Sequence, residues 1–355
     1  MKQTAVILAV AAASVAVSAQ GGSQPDWTAI DAETLKHFQA IVKMDTQDPP
    51  GGERPVVDYL KQVLDAEGIP TQVFIKDAPN RPNLVARIKG NGKKRPLLLM
   101  GHTDTVNVDP KKWSHPPFSA DREEGYIYGR GTVDDKDNVT GTLMAMLMLK
   151  RMNVPLDRDV IALFEAGEEG ASTLGVQFMA NSHYDAIDAE YCFAEGGGVV
   201  RSGGKVTQAN VGTTEKEPRF VEIIAHGPAG HGSVPQRGNS LTHLSAAVGK
   251  IAEWTPPMHI NETTASYFKK LSTMVPAERA KVYRDVLTPD PRVAKAAADW
   301  LLEHEPIHWS MLHTSLVPTI INGGFRYNVI PSESKATIDV RLHPDENQEA
   351  FLDLV

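Results

Sequence analysis

The spacing of apolar residues predicts an α/β protein: a sheet with helices on both faces, followed by a second, smaller α+β unit. Three observations carry this. Apolar runs such as Leu97-Leu98-Leu99-Met100 and Val160-Ile161-Ala162-Leu163-Phe164 alternate with stretches of helical spacing. Beyond Thr213 the order changes to β-α-β-β-α. Four acidic or His-bearing stretches each follow a strand-like run: His102-Thr103-Asp104, Asp134-Asp135-Lys136, Glu168-Glu169 and Glu195. In open α/β sheets, ligands collect at the carboxyl ends of the strands.

The elements follow in order. Asp26 to Lys43 has helical spacing, with Trp27, Ile30, Leu35, Phe38, Ile41 and Val42 apolar. Asp48-Pro49-Pro50-Gly51-Gly52 reads as a loop. Glu53 to Glu67 is a second amphipathic helix with Gly68 as its stop. Strands are expected at Thr71–Ile75, Asn83–Ile88 and Pro96–Met100, and a strand-like run covers Tyr126–Tyr128. Helix Asn138–Met152, strand Val160–Phe164, helix Thr173–Asn181, strand Tyr191–Ala194 and a final strand near Lys205–Ala209 complete the first unit. In the second, Arg219–Ala225, Ser315–Ile321 and Lys335–Arg341 read as strands and Asn239–Glu253 as a helix. Another helix starts near Glu346. These are five parts of a ferredoxin-like β-α-β-β-α-β unit. The sixth part, a strand, is missing before Val355, so the chain reads as a fragment of a longer one. A mainly helical insertion, about residues 255–313, carries Trp300 and Trp309.

At 355 residues there is room for two domains of roughly 100–200 residues each. A net charge of -8 leaves no basic stripe to neutralise phosphates, which excludes a nucleic-acid partner and an anionic membrane surface. Met1-Lys2, the apolar run Val6–Val17 and the small residues Val17-Ser18-Ala19 read as a cleavable signal peptide that exports the protein to the periplasm or beyond. The run is too short for a stable membrane span. The lone Cys192 excludes an intramolecular disulfide; in an apolar strand it reads as a small core residue.

One imidazole and several carboxylates at strand ends suit hydrolytic zinc. Two zinc ions need a bridging carboxylate and a shared water, whose pKa falls to about 7, giving a metal-bound hydroxide. A carboxylate that is not a ligand must then carry the proton. Adjacent Glu168 and Glu169 point differently, so one can serve as base while the other binds metal. Asp104, two residues from His102, can hold the other ring nitrogen. Taken singly, each piece has a plainer reading. A His-x-Asp is more often a solvated pair, a Glu-Glu pair surface charge, Asp134-Asp135 a helix N-cap, and Glu195 a turn acid. Their joint order after strands favours the metal reading.

The motifs Gly101-His102-Thr103-Asp104-Thr105-Val106, Gly129-Arg130-Gly131-Thr132-Val133-Asp134-Asp135-Lys136 and Glu165-Ala166-Gly167-Glu168-Glu169-Gly170 carry a resemblance. The chain resembles the di-zinc metallopeptidase and amidohydrolase family of aminoacylase, glutamate carboxypeptidase, carboxypeptidase S and succinyl-diaminopimelate desuccinylase. The resemblance implies a catalytic domain with a mixed sheet over residues 20–212 and a lid and dimerisation domain over 213–355. It implies His102, Asp134 and Glu195 on one zinc, Asp134 bridging, Glu169 on the second, Glu168 as general base and Asp104 as the acid orienting His102. Cobalt or manganese would suit the same donors.

Gly230-His231-Gly232-Ser233-Val234-Pro235 resembles the lid motif whose His stabilises the oxyanion across a homodimer. Asn328-Val329-Ile330-Pro331 and Asp339-Val340-Arg341 resemble positions that hold a substrate carboxylate, for which the arginine fork is suited. Two departures stand out. The family's further His on the second zinc has no counterpart before Val355, and Asp137-Asn138 follows Lys136 where many relatives have glycine. The expected activity is cleavage of an amide beside a free carboxylate, in a peptide or N-acyl amino acid. The rival readings are a non-catalytic metal-binding scaffold and an aminopeptidase or dipeptidase.

Overall fold

A computed structural model describes residues 25–355. The expected signal peptide lies outside the described residues. The chain divides into two compact units between Gly196 and Gly197. No helix among the described residues is long and apolar enough to cross a membrane.

The first unit runs α1 (Trp27–Val42), β1 (Gln47–Asp48), α2 (Arg54–Ala66), β2 (Thr71–Phe74), β3 (Asn83–Ile88), β4 (Leu97–His102), β5 (Thr105–Val106), β6 (Asp121–Glu123) and β7 (Tyr126–Tyr128). It continues through α3 (Lys136–Arg151), β8 (Val160–Glu165), α4 (Val176–Ser182), α5 (Tyr184–Ile187) and β9 (Tyr191–Phe193). Five strands form one mixed sheet in the order β2-β3-β8-β4-β9. β8, β4 and β9 run parallel, while β2 and β3 add antiparallel at one side. β8 is buried along its whole length, which explains its unbroken apolar run.

Alternate residues feed opposite layers. Leu84, Ala86, Ala162 and Phe164 pack with Leu60 and Leu64 of α2 and with Leu143 and Leu147 of α3. Val85, Ile161 and Leu163 pack on the other face with Met179 of α4 and Ile187 of α5. Each fully buried leucine or isoleucine contributes roughly 1.5–3 kcal/mol through removal from water. Helices on both faces force the loops that carry polar side chains out at the strand ends.

Three expectations are corrected. The Tyr126–Tyr128 run pairs only with β6 in a two-stranded hairpin, outside the sheet. Lys205–Ala209 belongs to a separate ribbon in the second unit. Cys192 is exposed, because β9 is an edge strand with all three residues open to solvent.

The second unit comprises β10 (Gly198–Ser202), β11 (Lys205–Asn210), β12 (Glu217–His226), β13 (Gly230–His231), α6 (Ser240–Glu253), α7 (Glu262–Leu271), α8 (Ala277–Asp285) and α9 (Pro291–His304). It closes with α10 (Pro306–Ser310), β14 (Ser315–Gly323), β15 (Val329–Ile330), β16 (Glu333–Leu342) and α11 (Gln348–Leu352). β10 and β11 form the separate ribbon. β16 lies between β12 and β14, antiparallel to both. This is the split β-α-β order. Ile338, Val340 and Leu342 pack with Ile251 and Trp254 at the end of α6 and with Phe351 of α11. The insertion is helical, α7 to α10, around its own core of Phe268, Tyr283, Leu301 and Leu312.

Candidate metal centre

His102 ends β4, and its place is set by the sheet: it pairs with Glu165 at the end of β8. The ring is almost fully buried. Its Nε2 lies 2.9 Å from Asp134 Oδ1 and 3.4 Å from Glu195 Oε2. Asp134 comes from the turn before α3, and Glu195 follows β9. The donor atoms of these three residues all lie within 4.8 Å of one another, the only such group among the described residues. An imidazole and two carboxylates this close fit one zinc-sized cation, with room for water on the exposed side of Asp134 and Glu195.

The other face of the ring is fixed from below. Nδ1 lies 3.3 Å from Asp104 Oδ1 and 3.2 Å from the Asp104 carbonyl. Asp104 is fully buried, and its carboxylate also accepts the backbone N–H groups of Glu168 at 3.1 Å and Glu169 at 3.0 Å. One carboxylate therefore orients the imidazole and holds the Glu-Glu loop.

Without metal, burial of the ring opposes its charge. The carboxylates of Asp104, Asp135 and Glu195 more than offset that, raising His102 to about 10. Burial pushes Glu168 up, and the charges of Glu195, Asp104 and Asp134 add to it while His102 opposes. Glu169 is raised by burial first and then by the charge of Asp134.

The second unit brings His231 and Asn328 together through the pairing of β13 with β15. His231 Nδ1 lies 2.7 Å from Ser233 Oγ and 3.2 Å from Ser233 N. His231 Nε2 lies 3.5 Å from Asn328 Nδ2, which sets the two side chains side by side. Arg341 is not with them. It pairs with Pro218 and Ser315, seven residues along β16 from Ser334, or roughly 23 Å at strand rise. Asn328 precedes the opposite end of that strand, and the Arg341 fork is engaged by Asp339 at 2.9 and 3.2 Å.

Several residues of the first unit's site escaped the sequence reading. Asp135 takes the N-cap position of α3 but makes no capping bond. Its Oδ2 instead accepts His102 N–H at 3.1 Å, and burial raises it to about 7. Asn138 donates to Met100 O at 2.9 Å and to Asp135 Oδ2 at 3.3 Å. Glu165 Oε2 accepts Val176 N–H at 2.6 Å and closes the loop that carries Glu168. The adjacent acids 134 and 135 were the available signal; the partner of each was not, because strand pairing supplies it.

An imidazole and two carboxylates gathered at the strand ends of a two-faced α/β sheet form a candidate cation site. The chain belongs to peptidase family M20/M25/M40, which matches residues 98–341. It is 31% identical over 266 residues to the N-fatty-acyl-amino acid synthase/hydrolase PM20D1 of Xenopus tropicalis, covering 73% of this chain and 51% of that protein. It is 30% identical over 273 residues to the probable carboxypeptidase S-like 2 of Dictyostelium discoideum, covering 74% and 50%. The chain thus spans about half the length of these curated relatives. The fold matches the M20 family metallo-carboxypeptidase Sso-CP2 of Sulfolobus solfataricus with a TM-score of 0.62 at 21% identity, over 91% of this chain and 74% of that one.

Proposed function

We propose that this protein is a zinc-dependent hydrolase that cleaves an amide bond beside a free carboxylate, in a peptide or an N-acyl amino acid. The observation that carries the reading is the convergence of His102, Asp134 and Glu195 within 4.8 Å, beside a Glu-Glu loop held by Asp104. Family membership and the activities in the relatives' names supply the bond class. His102, Asp134 and Glu195 would hold one zinc, and Asp134 with Glu169 would hold a second. Zinc bound there supplies a Lewis acid that polarises a carbonyl and acidifies water.

The chain's own groups do the rest. A carboxylate oxygen of Glu168 takes the proton of the attacking water and delivers it to the leaving nitrogen. Its upward shift brings it closer to neutral pH, where both transfers are fast. Asp104 keeps His102 Nε2 turned toward Asp134 and Glu195. The His231 and Asn328 donors suit the oxyanion of the tetrahedral state. In this reading they come from the lid of a second copy in a homodimer, and Arg341 would bind the substrate carboxylate. His231→Ala should lower kcat by ~10²–10³-fold; an unchanged rate would remove it from the site. The test of the whole reading is release of free amino acid from N-acyl amino acids and from C-terminal peptide bonds, lost on chelation and restored by zinc.

A second reading is a metal-binding protein without turnover, in which the His102, Asp134 and Glu195 set would hold a single cation. About two zinc ions per chain with amidase activity would support the first reading, and one or none without activity the second. Export belongs to the proposal as well. The exported protein should begin at Gln20 by N-terminal sequencing, and a retained Met1 would refute it.

A further inference from the structure

Beneath the Glu-Glu loop lies a buried charge cluster that the proposed chemistry does not use. Arg81 Nη2 donates to Asp48 Oδ2 at 2.7 Å and to Glu53 Oε1 at 2.7 Å, and its Nε donates to Glu53 Oε1 at 3.0 Å. All three residues are buried. The guanidinium is wedged between two loops. A Cβ on Gly51 would stand 2.2 Å from Arg81 Nε, and one on Gly167 would stand 3.1 Å from Nη2. Gly167 has φ +74°, a conformation that other residues adopt only at a cost. On the far side of Glu168 and Glu169, a Cβ on Gly170 would stand 3.1 Å from Asp48 Oδ2. Asp48 itself lies on β1, which pairs in parallel with β5 directly after Asp104.

The loop is therefore held at two levels. Asp104 takes the N–H groups of Glu168 and Glu169, while Arg81 and Asp48 close against the flanking glycines 167 and 170. We infer that Arg81 is a positioning residue for the reaction, its guanidinium serving as the floor that sets where the Glu168 carboxylate stands. The inference rests on the proposed role of Glu168. The hydrogen bonds and ion pairs of the Arg81 guanidinium go to Glu53 and Asp48, not to His102, Asp134 or Glu195. Its loss should thus move the base and leave that donor set intact. A charge of the right sign is not enough: the planar fork spans two carboxylates, which a lysine ammonium does not reproduce.

The test compares full-length wild type with Arg81→Ala, Arg81→Lys and Gly170→Ala. The last perturbs the contact from the loop side and keeps the buried charges paired, so it serves if Arg81→Ala fails to fold. Arg81→Ala should lower kcat by ~10–10²-fold with KM within about twofold, and Arg81→Lys should recover little of it. Millimolar methylguanidinium should restore at least tenfold of the Arg81→Ala loss, and equal urea should not. Independently of turnover, hydrogen exchange over residues 166–171 should quicken at least tenfold in Arg81→Ala and Gly170→Ala, and slow again in Arg81→Ala with methylguanidinium, at unchanged zinc content. Unaltered exchange in a folded variant, or a loss of rate that methylguanidinium does not relieve, would overturn the inference. Failure of the parent reading looks different: Glu168→Gln would then leave activity untouched while the exchange effect of Arg81→Ala persists.

Discussion

Glu168→Gln is expected to lower kcat by at least ~10²-fold while zinc content stays at the wild-type level. The amide keeps the size of the side chain and the loop bonds, since Asp104 holds the backbone N–H groups of Glu168 and Glu169 and not their carboxylates. Only the ability to take a proton is removed. With Glu168 as the base, kcat/KM should fall on an acid limb set by protonation of its carboxylate. Below that limb the base is protonated and idle; above it the base is free. The limb should vanish in Glu168→Gln. A near-normal turnover, or an unchanged acid limb, would show that another group moves the proton.

The second large effect concerns His102. His102→Ala should abolish zinc binding at the His102–Asp134–Glu195 set, read by equilibrium dialysis with metal analysis. In the wild type the same residue makes zinc uptake steeply dependent on pH. A metal ligand must be the neutral imidazole, and here the metal-free ring holds its proton up to about 10. Zinc affinity should therefore rise about tenfold per pH unit as pH climbs toward about 10, with protons released on binding. In the metal-free protein the linkage has the opposite sign. The raised folded-state pKa stabilises the fold fully below pH ~6.5, and this contribution is lost as pH rises through about 10. A zinc affinity flat between pH 7 and 9 would refute the charged, carboxylate-bound state of His102.

Much of this site was legible in local patterning. His102, Asp104, Glu168 and Glu169 stand at the ends of β4 and β8, two strands whose apolar runs are visible because both faces of the sheet are covered. A buried parallel strand must end in a polar loop, so the residue after the run is placed by the run itself. Asp134 was harder. Its strand-like prelude is a surface hairpin, and what brings Asp134 to His102 is the turn into α3. The supporting residues were not legible at all. Asp135 looks like a helix cap and instead holds a strand N–H; Asn138 holds both. Arg81 lies 28 residues from Glu53 and 33 from Asp48 in sequence, and no periodicity links them.

The sequence by itself determined the α/β class, the order of its elements and the residue types gathered at the strand ends, because burial periodicity and loop chemistry are local properties. Tertiary structure alone decided which polar groups share a partner. It seated one carboxylate, Asp104, under both an imidazole and a loop. It set His231 beside Asn328 and kept Arg341 at the other end of a ten-residue strand. Those choices follow from strand register and from the requirement that every buried charge find a partner, and both join residues far apart in the chain.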